Sequence, residues 1–203
     1  MLPHWQRDDL LLSQTCGYPL MTSLPDVQVV GAFCYSAPGC EGPNYSSWIV
    51  VREDESGQSL ADFAGRRLAF NSEDSQSGYR SMMKMTQGPE YFSATHASGG
   101  HRRSVAMIRR GKADIAAIDC ISWALLLRDF PEELSGVKII GQTASVPGLP
   151  VITSAETSAD SVARLREGLA QLVANAADTP LLESLLIKDF TPLPRAAWHV
   201  ILR

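Results

Sequence analysis

From residue 46 to residue 141, short apolar runs of strand length alternate with amphipathic stretches that stop at glycine or proline. The strand-length runs fall at 46–52, 67–71, 91–95, 115–119 and 137–141, and the helical patterns at 77–87, 101–110 and 121–130. Gly88-Pro89, Gly111 and Pro131 end those three helices in turn, as residues that break or reverse helical backbone do. A β-α-β-α-β-α-β order buries both faces of a sheet under helices. The expected class is therefore α/β, an open, mostly parallel sheet with right-handed crossovers.

The flanking segments hold less order. Runs at 10–14 and 27–33 have the continuous apolarity of buried parallel strands, and Ser36-Ala37-Pro38-Gly39 closes the second. After the stiff break Val146-Pro147-Gly148-Leu149-Pro150 come a strand at 151–153 and the strongest helical pattern in the chain. Ser158 or Ser161 caps that helix, and Val162, Leu165, Leu169, Leu172 and Val173 form its apolar stripe. A helix near 181–187 and an apolar tail at 198–202 complete the reading. The turn-rich breaks divide the chain into a discontinuous first lobe, 1–45 with 142–203, and a second lobe, 46–141, with Tyr45-Ser46-Ser47 and residues 145–150 near the crossings.

The 203 residues, 45% hydrophobic and 20% charged, are enough for two small lobes. Net charge is -4, from 22 acidic and 18 basic residues scattered without a basic stripe, so nucleic acid is not an expected partner. The apolar run at 10–12 is too short for a signal peptide or a membrane span; no export signal and no membrane insertion are read. Cys16, Cys34, Cys40 and Cys120 lack CxxC spacing and a paired histidine cluster, so no metal or other cofactor is expected. Four free buried thiols, a Cys34–Cys40 bridge and a Cys16–Cys40 bridge all remain open.

The segment Asn71-Ser72-Glu73-Asp74-Ser75-Gln76-Ser77-Gly78 runs from a strand into a helix, at the strand's carboxyl end, where open α/β sheets bind ligands. The hydroxyls of Ser75 and Ser77, with the free amides of a first helical turn, can hold an anion, and Gly78 lets a ligand approach the backbone. The same two serines also suit plain helix capping. Ser98-Gly99-Gly100-His101, followed by Ser104, is a second strand-to-helix junction of this kind. Asp119 ends a third strand as either a cap for the next helix or an acceptor for a ligand hydroxyl or amine.

Taken in order, Gln14-Thr15-Cys16-Gly17-Tyr18, Tyr45-Ser46-Ser47, Asp74-Ser75-Gln76-Ser77-Gly78, Ser98-Gly99-Gly100-His101 and Ala116-Ala117-Ile118-Asp119 resemble the phosphate-, phosphite- and phosphonate-binding proteins of ABC transporters. That resemblance implies two α/β lobes of the type 2 periplasmic-binding fold that close on a small anionic solute, an ABC permease as partner, and a periplasmic location. It implies an anion held by Ser75, Gln76, Ser77 and Gly78, with Thr15 and Tyr18 from the first lobe, Tyr45 at the hinge, and His101, Ser104 and Asp119 on the other wall. The chain departs from the pattern in two places. It begins just before the second strand of the first lobe, leaving that lobe incomplete and the compartment cytoplasmic if the start is genuine. Where phosphonate binders tend to place an acidic residue after the histidine segment, Arg102 and Arg103 stand here. A monomer or weak dimer is expected. Two other functions compete: an enzyme on the same fold, with Cys16 as nucleophile and His101 and Asp119 as base and orienter, and a ligand-sensing domain.

Overall fold

The computed structural model describes residues 1–203. In chain order the elements are α1 (Leu2–Trp5), β1 (Ser13–Gln14), α2 (Gly17–Thr22), β2 (Gln28–Tyr35), β3 (Asn44–Tyr45), β4 (Ser47–Arg52), β5 (Arg67–Phe70), α3 (Ser81–Thr86), β6 (Ala94–Ala97), α4 (His101–Arg109), β7 (Ile115–Asp119), α5 (Cys120–Asp129), β8 (Val137–Gln142), β9 (Val146–Pro147), β10 (Pro150–Thr153), α6 (Ala159–Ala174), α7 (Thr179–Ser184) and β11 (Ile187–Thr191). Short 3-10 turns join several of them, and a last one covers Arg195–Leu202. The chain forms two units, Met1–Tyr45 with Val146–Arg203, and Ser46–Ser145.

In the second unit the strand order is β6-β5-β7-β4-β8. β5 pairs in parallel with β6 and with β7, while β4 lies antiparallel between β7 and β8. Four of the five strands thus run one way, and β4, which enters from the other unit, is the reversed one. Alternate side chains divide between the faces, as strand geometry requires. Val50, Ala69, Ala116 and Ile118 pack with Val105, Ile108 and Leu126 of α4 and α5. Ile49, Val51, Leu68, Ile115 and Ala117 pack with Met82 of α3, Phe63 and Phe92. β7 lies between β5 and β4, apolar on both faces from Ile115 to Ile118, and all five of its residues are buried, the terminal Asp119 included.

The first unit corrects the expectation of parallel strands there. Its four-stranded sheet, ordered β1-β10-β2-β11, is antiparallel at every junction, so the segments near 10–14 and 27–33 do not pair with each other but flank β10. No helix joins β1 to a strand beside it that could enforce a parallel crossover, and the returning strands β10 and β11 insert from the far end of the sequence. One face of this sheet lies under α6 through Val30, Val151, Leu169 and Phe190. The other carries Leu20 and Leu24 from α2 and the loop after it, with Trp198 and Ile201 from the last turn. β3 and β9 form a separate two-stranded ribbon, with Tyr45 opposite Val146.

Two further readings need correction. The pattern near 181–187 gives the short helix α7, then Leu186 at a φ of 58°, then an unforeseen strand, β11. A helix, α2, starts directly after Cys16, in a stretch to which the sequence pattern assigned no element. No disulfide joins the four cysteines, so of the three readings the thiols stand and the Cys34–Cys40 and Cys16–Cys40 bridges do not; Cys34 and Cys120 are buried, Cys16 and Cys40 half-buried.

Candidate functional site

Since β5, β6 and β7 are parallel, Phe70, Ala97 and Asp119 end on the same side of the second unit. Each of the three strands passes through a polar residue or loop into a helix start. Ser98 N–H donates to Phe70 O at 2.7 Å and Gly99 N–H to Asn71 O at 3.0 Å, so the first two loops continue the pairing of their strands. Ser47 of β4 lies opposite Asp119, and its amide donates to Thr143 Oγ1 at 2.9 Å. Gln142 Nε2 donates to Ser46 Oγ at 2.6 Å, which sets two more polar pairs at the same edge.

The loop after β5 is fixed from both ends. Phe70 and Tyr79 stack with centroids 4.5 Å apart, and Arg80 Nε donates back to Glu73 O at 2.7 Å. The helix it enters opens with a wide π-type turn, Gln76–Arg80, before the regular turns of α3. Ser75 caps it: its hydroxyl accepts from Gly78 N–H at 3.0 Å. Here Gly78 is required by close approach, because a Cβ would stand 2.0 Å from Asn71 Oδ1. Ser75, Gln76 and Ser77 are all buried, although each carries a polar side chain.

Ser77, Asn71 and Asp119 converge on one atom. His101 Nε2 lies 2.9 Å from Ser77 Oγ, 3.4 Å from Asn71 Nδ2 and 3.2 Å from Asp119 Oδ2. A single ring nitrogen carries either a hydrogen or a lone pair, so it cannot serve an amide donor and a carboxylate acceptor at once. Asn71 Oδ1 and His101 Nδ1 are buried with no partner. Buried polar groups are ordinarily satisfied, so this under-used set is the candidate place for an outside group. Asp119 is held from its other oxygen, Oδ1, which accepts from Ser122 N–H at 2.8 Å, so it caps α5 while facing His101. Ser104 is fully buried and its hydroxyl pairs with Ser98 at 2.7 Å.

The remaining residues named from the sequence lie in the first unit. Thr15 is buried, its amide donates to Pro150 O at 3.0 Å, and its hydroxyl has no partner. Tyr18 stands in α2, packed against the core, and Tyr45 is buried in β3. Gly17 opens α2 under Trp198 and Ile201, whose atoms would lie 2.9 and 2.5 Å from a Cβ placed there. Cys16 is the residue before that helix and belongs to the first unit, whereas His101 and Asp119 belong to the second. Sequence reasoning passed over Asn71 as a site residue; the signal pointing to it is the glycine seven residues later.

A family model described as the periplasmic phosphonate substrate-binding protein of ABC transporters matches residues 6–198. The chain belongs to that family. Solved structures agree in fold. A binding component of an ABC phosphonate transporter from Pseudomonas aeruginosa is 19% identical, with a TM-score of 0.78 over 94% of this chain and 66% of that one. PhnD1 from Prochlorococcus marinus, solved with methylphosphonate, is 17% identical, with a TM-score of 0.79 over 99% of this chain and 79% of that one. A Xanthomonas citri protein solved with chloride is 16% identical, with a TM-score of 0.77 over 100% of this chain and 81% of that one. No curated protein matches the sequence. Members of this phosphonate-binding family are solute-capturing subunits that work with a transporter permease. No helix of this chain is long and apolar enough to cross a membrane.

Proposed function

We propose that the chain captures a small oxyanion of the phosphonate, phosphite or phosphate class, works in the periplasm, and hands the solute unchanged to an ABC permease. The observation that carries this reading is the convergence of Asn71, Ser77 and His101 beside two helix starts, at the shared carboxyl end of β5, β6 and β7. Amides that open a helix lack intrahelical acceptors and favour negative charge, and hydroxyl and amide donors complete such a site without chemistry. Asp119, already engaged by Ser122 and His101, orients the imidazole. Ser75 serves the head group indirectly, by holding the turn that presents Gln76 and Ser77.

Calorimetry with methylphosphonate, phosphite, phosphate and aminoethylphosphonate tests this directly. At least one should bind and raise the melting temperature with concentration. Ser77→Ala should weaken that ligand about tenfold or more, as loss of a hydrogen bond to a charged group does. The first unit's candidates, Thr15, Tyr18 and Tyr45, are to be substituted in the same assay. A Ser77→Ala protein with full affinity would leave the hydroxyl with a structural role alone. Turnover of a phosphonate that disappears on Cys16→Ser would replace the binding reading with the enzymatic one.

A further inference from the structure

Beside the polar cluster, between the start of α4 and the length of α5, the second unit forms a cavity of about 470 Å³. At one end stand His101 and Ser122, both bonded to Asp119. Leu125, Leu126 and Phe130 supply an apolar wall, and Arg103 adds a cation. The other charges of the lining are already matched. Arg102 pairs with Glu133, Nε to Oε2 at 2.7 Å, and stacks over the Phe130 ring at 4.3 Å. Asp129 pairs with Arg128 at 2.7 Å. Arg103 takes part in none of the ion pairs, and its guanidinium lies against Gly99, where a Cβ would stand 2.9 Å from Nη1. A cavity of this size, apolar with a single unmatched cation, has the character of a small-molecule subsite.

We propose that this cavity houses the substituent of the bound oxyanion, and that the favoured ligand carries a short apolar chain ended by a second anion, as carboxyalkylphosphonates do. The inference rests on the reading of the adjoining cluster as the head-group site. Each methylene taken from water onto Leu125, Leu126 and Phe130 adds about fourfold in affinity. A carboxylate at the chain's end meets Arg103 in the fork geometry that guanidinium offers, whereas an ammonium there meets an unmatched like charge.

Calorimetry on the full chain with methylphosphonate, propylphosphonate, phosphonopropionate and aminopropylphosphonate reads the two parts separately. Propylphosphonate should bind more tightly than methylphosphonate, phosphonopropionate about tenfold more tightly than propylphosphonate, and aminopropylphosphonate more weakly than either three-carbon compound. Arg103→Gln should bring the phosphonopropionate-to-propylphosphonate ratio close to one, with Arg103→Lys restoring part of it. Leu125→Ser should remove the advantage of propyl over methyl. Because each readout is a ratio within one variant, a change in fold stability does not imitate it. If methylphosphonate binds but the three-carbon ligands show equal affinities, or the amine binds tightest, the cavity assignment fails and the head-group reading stands. If no phosphonate, phosphite or phosphate binds, both fail together.

Discussion

In the second unit the polar residues at the sheet edge hold one another, whereas in the first unit they are held by apolar packing and main chain. A chain of bonds runs Ser77, His101, Asp119, Ser122 at 2.9, 3.2 and 2.8 Å. By contrast the hydroxyl of Thr15 has no partner, and its segment is fixed by its amide on Pro150 O, by Trp5 Nε1 on Gln14 O at 3.1 Å, and by Trp198 and Ile201 over Gly17. Arg195 adds a clamp, donating to Leu20 O, Leu24 O and Val27 O at 2.7 Å each; burial pushes its pKa below the usual arginine value, against the opposing pull of the Asp26 charge. Hydrogen bonds that can be exchanged for a ligand's are cheap to rearrange, while packed aromatic surface is not. Substitutions in the second unit's cluster should therefore register first in affinity, and those in the first unit in stability.

The largest test of that contrast is Trp198→Ala. Trp198 is fully buried and its indole N–H donates to Gly148 O at 2.9 Å, so truncation should cost about 3–5 kcal/mol by denaturant unfolding. Amide exchange should place the loss in the first unit; loss of protection in β5 and β7 instead would break the distinction between the units. An intermediate effect comes from acid. The Arg67 guanidinium, bonded at 2.8 and 2.9 Å, lowers the pKa of the Asp114 carboxyl from 3.8 to about 2, and the side chain is only 8% exposed. A depressed folded pKa adds stability that is present above the unfolded value and is lost as pH falls from about 4 toward 2. The second unit should lose about 1–2 kcal/mol across that window. Unfolding curves of Asp114→Asn should be flatter there than those of the unaltered protein, and parallel curves would remove the pair as the cause. The smallest effects are two helix caps. Ser75→Ala and Ser158→Ala each remove an acceptor for a first-turn amide, at 3.0 and 3.2 Å, and should each cost about 1 kcal/mol. Only Ser75→Ala should also weaken oxyanion binding; equal affinities in the two variants would blunt the comparison.

Elements were legible where a single local cause acts. The apolar run Ile115 to Ile118 closed by Asp119 places β7 at its observed bounds, and the stripe from Val162 to Val173 marks α6, of whose two candidate caps Ser158 is the one observed. Strand direction was not legible in the first unit, because β10 and β11 pair with β2 from more than a hundred residues away. α2 was hidden by its glycine and proline. Gly17 is there for the close approach of Trp198, and Pro19 sits within the first turn, where its missing N–H costs nothing. β11 was hidden by Lys188 and Asp189, exposed residues of a bulged edge strand. Of the site, the two serine-rich helix starts were visible as local patterns. The meeting of Asn71 with His101 across 30 positions was not, since it depends on β5 and β6 lying side by side.

The discontinuity of the first unit has a consequence for synthesis. Residues 46–145 contain every strand of the second unit's sheet, so that unit can complete its hydrogen bonding while the chain is still emerging. The first 45 residues cannot: Trp5, Leu20 and Val29 wait for Ile152 and Trp198, which are made only after the entire second unit. For that interval β2 carries Val29, Val30 and Ala32 with neither neighbouring strand available, an open edge of the kind that pairs with other chains. A delay in translation between codons 146 and 198 should thus harm the yield of folded protein more than an equal delay within the second unit, and a holding chaperone should relieve it.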